Sequence, residues 1–147
     1  MYKPASVLTG LLLFIFVMTS YGFGDSEISN PETKKAAVKN LLLGLNSENC
    51  GLRMSSAFIL GEIKAEEAVI PLMHMLRTEE CEDFRIVAAL ALYKINSPKG
   101  IFAIKQAIRF DDSERVRKMC SNFYFETLKI KYGIDGYPSA EDEVAFK

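Results

Sequence analysis

The sequence predicts an all-α protein, a short right-handed solenoid of antiparallel helix pairs. The first observation is a repeat of 32 residues: Arg53, Arg85 and Arg117 share one phase, as do Leu60, Leu92 and Tyr124, and Ala57, Ala89 and Ser121. Within that period Ala68-Val69-Ile70-Pro71-Leu72 aligns with Gly100-Ile101-Phe102-Ala103-Ile104, and Leu76 with Ile108. A period of this size marks stacked helical pairs, no one of which can bury its apolar face alone. Apolar residues also recur at helical spacing, and no stretch alternates apolar and polar over a strand's length.

The 147 residues suffice for one domain with a sizeable core. Net charge is −1, with no block of five like charges. That balance argues against a general binder of nucleic acid or anionic membrane, which would carry a basic excess. Residues 1–24 differ in kind. Lys3 precedes the apolar run Val7 to Met18, and Ser20, Gly22 and Gly24 follow, the order of a secretory signal. The run is short for a bilayer span, which takes roughly 20 residues. We therefore expect cleavage after Gly22 or Gly24 and an exported protein whose net charge, without Lys3, is −2. No membrane attachment beyond this signal is expected, the alternative being that the segment stays uncleaved as an N-terminal anchor. The organisation is then signal peptide 1–24, helical repeat domain 25–133 and tail 134–147.

Asn30 is a good N-cap for the first helix, expected at 31–45. Its side chain accepts from a free backbone N–H, and Pro31 lacks the donor that would be orphaned there. Leu41 and Leu45 match Leu72 and Leu76 with a one-residue gap, so this helix is a half-repeat that opens the stack. Helix 2, at 52–63, is expected to turn Leu52, Ser56, Ile59, Leu60 and Ile63 inward. Helix 3, at 67–77, holds Pro71 in its first turn, where a missing donor costs little. Helix 4, at 83–95, carries Phe84, Ala88, Ala91, Leu92 and Ile95 inward. Ser97-Pro98 repeats the cap-plus-proline start for helix 5, at 98–109, and Asp111-Asp112 is expected to cap helix 6, at 113–132, which Gly133 ends. In the tail, Ile134, Tyr137, Val144 and Phe146 suggest packing against the last helix, and Ser139-x-x-Asp142 suits the cap of a short turn.

The run from Arg53 to Ile63, with Ser55-Ser56, Leu60-Gly61 and then Ala68-Val69-Ile70-Pro71-Leu72, resembles the HEAT-like repeat of bilin-lyase-type and other bacterial repeat proteins. The resemblance covers about 31–127. The second repeat departs from it at Leu92-Tyr93, and the third keeps only its first helix. It implies a HEAT-like superhelix and, for function, mostly protein-binding scaffolds. Small pairs at Ser56-Ala57, Ala88-Ala89 and Cys120-Ser121 stand where helices must approach closely. The arginines at 53, 85 and 117 suggest either an anion-binding stripe or, as we expect, a structural ladder held by loop acids such as Glu48, Asp83 or Asp112.

The chain has one histidine, His74, and neither Cys-x-x-Cys nor His-x-x-x-His spacing, so we expect no metal site. It has no nucleophile elbow or phosphate loop. The acid pairs Glu66-Glu67 and Asp111-Asp112 sit at helix starts, where carboxylates stabilise the helix end. We expect no enzyme activity and no cofactor. Of three cysteines, Cys120 repeats a buried small-residue position, whereas Cys50 and Cys81 occupy equivalent turns and are the candidate disulfide pair.

What remains is a scaffold that binds another protein through one face of the stack. The second helices direct Leu42, Leu43, Met73, His74, Lys105 and Gln106 outward, with Arg77 and Arg109 at the edge. Met73, His74, Arg77, Lys105, Gln106 and Arg109 thus form a candidate ridge, apolar and basic, for a protein partner with an acidic rim. The alternatives are an accessory protein or enzyme of the bilin-lyase class, or a structural part of an envelope complex.

Overall fold

The structure, a computed structural model, describes residues 30–133. The expected signal peptide and tail, 1–24 and 134–147, lie outside the described residues. Compact packing separates a unit ending at Lys34 from one beginning at Lys35, and the second unit holds every helix except the first turn of α1.

Six α-helices run in order: α1 (Pro31–Gly44), α2 (Cys50–Glu62), α3 (Val69–Thr78), α4 (Glu82–Ile95), α5 (Pro98–Phe110) and α6 (Glu114–Tyr132). Among the described residues there is no strand. Local chemistry sets the boundaries. Asn30 Oδ1 accepts from the Glu32 N–H at 3.0 Å and starts α1. α2 begins two residues earlier than expected because Asn49 caps it, accepting from Leu52 N at 3.0 Å. A 3₁₀ turn, Glu66–Ala68, leads into α3. Asn96 closes α4 in the left-handed region, φ 56°, and Ser97 caps α5 through Gly100 N at 3.1 Å. The expectation that Asp111-Asp112 would cap α6 is corrected: Ser113 does so, accepting from Val116 N at 3.3 Å. Gly133, φ 64°, ends that helix.

The first helices of successive repeats, α2, α4 and α6, stack on one another, while α3 seats on α4 and α5 on α6. One apolar core runs through them from Val38 to Cys120, with Leu60, Leu72, Leu92, Ile104 and Val116 fully buried. α1 joins through Gly44, where an added Cβ would stand 2.2 Å from Ser56 Oγ.

The inward face of α2 differs from the expected one. Ser56, Ala57, Leu60 and Gly61 are buried, whereas Leu52 and Ile59 are exposed. α2 is apolar most of the way round, so hydropathy alone does not choose its face; close approach does. A Cβ at Gly61 would stand 2.6 Å from Ala91 Cα, so only glycine lets α2 and α4 come this near. One repeat later the same phase holds Tyr93, which stacks on Phe123 with centroids 5.6 Å apart. There an aromatic pair spaces α4 from α6. Gly61→Ala is therefore expected to cost about 1–3 kcal/mol by overpacking against backbone, read as a lower urea midpoint at unchanged m-value. A midpoint at or above wild type would show that the helices separate without cost.

Candidate protein-binding cleft

The loops that frame the cleft are tied down by the arginine phase. Arg53 Nη1 donates to the Ser47 carbonyl at 3.0 Å, and its Nε lies 3.4 Å from Glu79 Oε1. Arg85 repeats the arrangement more completely. Its Nη1 donates to the carbonyls of Glu79 and Glu80, both at 2.9 Å, while Nε and Nη2 each hold one oxygen of Asp111 at 3.0 Å. Nη2 also reaches Asp112 at 2.6 Å. Arg117 donates to the Asp111 and Asp112 carbonyls at 2.7 and 3.0 Å. Each guanidinium thus binds the loop before its own helix, and the first two also bind a carboxylate of the next repeat. For Arg53 and Arg85 this is the structural ladder, with Glu79, Asp111 and Asp112 as partners; Asp83 pairs instead with Arg115. Further inter-repeat pairs join Arg115 to Glu82 at 2.9 Å and Lys94 to Glu62.

These contacts hold a cleft of ≈ 860 Å³ between α3 and α5. Met73, Leu76 and Arg77 line it from α3, and Phe102, Ala103, Gln106, Ala107 and Phe110 from α5. Phe102 and Phe110 are 60% and 75% exposed. Glu79, Glu80, Asp111 and Asp112 close one end, with Arg85 among them. The Asp112 carboxyl is held below the usual carboxylate range by its hydrogen bond with Asp111 and then by the Arg85 charge. It stays outward-facing, its side chain 90% exposed. No ion pair among the described residues engages Arg77 or Glu80.

The expected ridge divides. Met73, Arg77 and Gln106 come together in this cleft. His74 lines a neighbouring one of ≈ 520 Å³, where Thr78 Oγ1 lies 3.3 Å from its Nδ1. Lys105 leans toward α6, its Nζ 5.9 Å from the Tyr124 ring centroid, and the Arg109 guanidinium lies 5.9 Å over the Phe110 ring. The cleft is therefore less basic than the ridge suggested, and acidic at one end.

Phe102 and Phe110 were missed. A signal for Phe102 was present, since Ile70 holds the same phase one repeat earlier and both are 60% exposed. Two large apolar groups on an outward phase are unusual for a purely solvated face.

The cysteines differ in setting. Cys120 is buried, and loss of solvent, with some help from Asp111, pushes its thiol up to about 12. Cys50 and Cys81, the candidate disulfide pair, both line the smaller cleft as exposed free thiols. Cys50 opens α2 and Cys81 precedes α4.

Stacked antiparallel pairs, an inter-repeat arginine ladder and a cleft along the second helices define an α-helical repeat protein. The family model of HEAT repeats matches residues 38–121, more than half of the chain, and the protein belongs to that family. Helical repeats of this kind often serve protein–protein interaction. No curated protein matches the chain.

Proposed function

We propose that the protein is an exported, non-catalytic scaffold that binds another protein in the cleft between α3 and α5. The observation that carries this reading is the exposed pair Phe102 and Phe110, beside Met73, on a rigid helical face. Aromatic anchors beside a methionine supply apolar area at low conformational cost, and methionine repacks against varied surfaces. The acidic end adds polarity. A partner segment with an apolar side chain flanked by lysine or arginine meets Glu80 and Asp112 with complementary charge. Export is supported by the basic, apolar and small-residue order of the first 24 residues.

The test is paired capture from an envelope fraction with wild type and with Phe102→Asp plus Met73→Asp, followed by reconstitution of the identified partner with purified protein. The double variant is expected to lower affinity by at least about a hundredfold, the equivalent of roughly 2.7 kcal/mol, with helical circular dichroism unchanged. A folded variant that binds the reconstituted partner at wild-type strength moves the interface elsewhere, first to the face bearing Met54, Phe58, Ile86 and Leu90.

A further inference from the structure

One phase of the first helices is covered in α4 and α6 and open in α2. In α4 it holds Phe84, buried with the Arg53 guanidinium 4.8 Å over its ring, and Ala91, buried where Gly61 approaches it. In α6 it holds Val116, fully buried, and Phe123, stacked on Tyr93. Phe84, Ala91 and Phe123 thus each meet the first helix of the preceding repeat. α2 carries Leu52 and Ile59 at the same two positions, one period of 32 residues before Phe84 and Ala91, and they stay 50% and 40% exposed. Among the described residues only the half-repeat α1 comes before α2, so this stacking face meets no first helix.

The charges at the two ends of α2 match an inverted copy of the same helix. Glu48 lies just before α2 and Lys64 just after it, both exposed. No ion pair among the described residues engages either one. Leu52 and Ile59 stand two turns apart, about 10 Å, with exposed Ser55 between them. A face with an acid at one end, a base at the other and apolar groups between is complementary to itself turned end for end.

We propose that two copies of this chain associate through α2, packed antiparallel about a two-fold axis beside Ser55. Leu52 of one copy then meets Ile59 of the other, and Glu48 meets Lys64, each contact occurring twice. The small serine lets the backbones approach closely at the axis, where the second copy takes the place of a preceding repeat's first helix. A contact made largely by one helix from each copy belongs to the small, transient class of interfaces, so monomer and dimer exchange with concentration. None of these four residues lines the cleft between α3 and α5.

Sedimentation of protein recovered from cells expressing the full chain tests the pair across a concentration series. Wild type is expected to pass reversibly from monomer to dimer. Ile59→Glu is expected to weaken the dimer at least about thirtyfold, the loss of a central anchor, with helical circular dichroism unchanged. Glu48→Lys or Lys64→Glu alone is expected to weaken it about tenfold by setting like charges together at both ends, and the two changes combined restore it. A wild-type chain that stays monomeric up to about 1 mM, where even millimolar contacts are half-formed, overturns the proposal. So do oligomers that grow beyond the dimer, which belong to a head-to-tail contact. A folded Ile59→Glu variant that dimerises at wild-type strength overturns it as well, and charge variants whose effects add instead of cancelling overturn the antiparallel register.

Discussion

Arg85→Ala removes about 3–5 kcal/mol of folding stability, the range seen when one member of a buried ion pair is deleted. The guanidinium is largely buried and makes five hydrogen bonds at once. Without it the Asp111 carboxylate, only 7% exposed, loses both guanidinium hydrogen bonds and keeps the one from the Ser113 N–H, and two loop carbonyls lose a donor. Arg85→Lys recovers only part of the loss, because an ammonium lacks the planar fork that holds both oxygens of Asp111. Arg115→Ala, which removes exposed pairs to Glu82 and Asp83, leaves the denaturation midpoint nearly unchanged. The deficit is also pH-dependent. Asp112 is held below its ordinary range, so its contribution is complete above that range and disappears as pH falls below about 4. The gap between wild type and Arg85→Ala then narrows in acid. Urea midpoints for the three variants at neutral and acid pH check the whole series; an Arg85→Ala midpoint matching that of Arg115→Ala rules the ladder out as a stabilising element.

Leu72→Ala is expected to cost about 2–5 kcal/mol, near the upper part of that range. Leu72 is fully buried at the centre of α3, at the phase occupied by fully buried Ile104 in α5. The site sits between helices already pinned by Gly61 and the arginine loops, so it cannot collapse around the missing atoms. Lys105→Ala loses a half-buried stem and a cation–π contact to Tyr124, about 0.5–1 kcal/mol. Equal midpoints for these two variants refute the assigned register of the second helices.

The repeat period, six helices, their caps at Asn30 and Ser97 and the stop at Gly133 were legible in the residues, because each depends on local chemistry or on spacing along the chain. The core phase of α4 was legible for the same reason, since Phe84, Ala88, Ala91, Leu92 and Ile95 form one stripe. α2 was not. It is apolar on several sides, and only the contact of Gly61 with Ala91 turns Leu52 and Ile59 outward. Asp111 and Asp112 looked like a helix cap because their preference for a helix start is local; their pairing with Arg85 spans 26 and 27 residues, and spacing alone does not choose between Asp83, Asp111 and Asp112.

The candidate site divides along the same line. Met73, Arg77 and Gln106 share a cleft because helical phase already placed them on one side of α3 and α5. Phe102 and Phe110 join them, while Lys105 turns to Tyr124 and His74 to the neighbouring cleft, because each depends on which helix lies beside it. Sequence alone determined the repeat and the helix phases within it; tertiary packing decided which apolar residues stay in water, since that depends on how closely two backbones meet and not on the hydropathy of either.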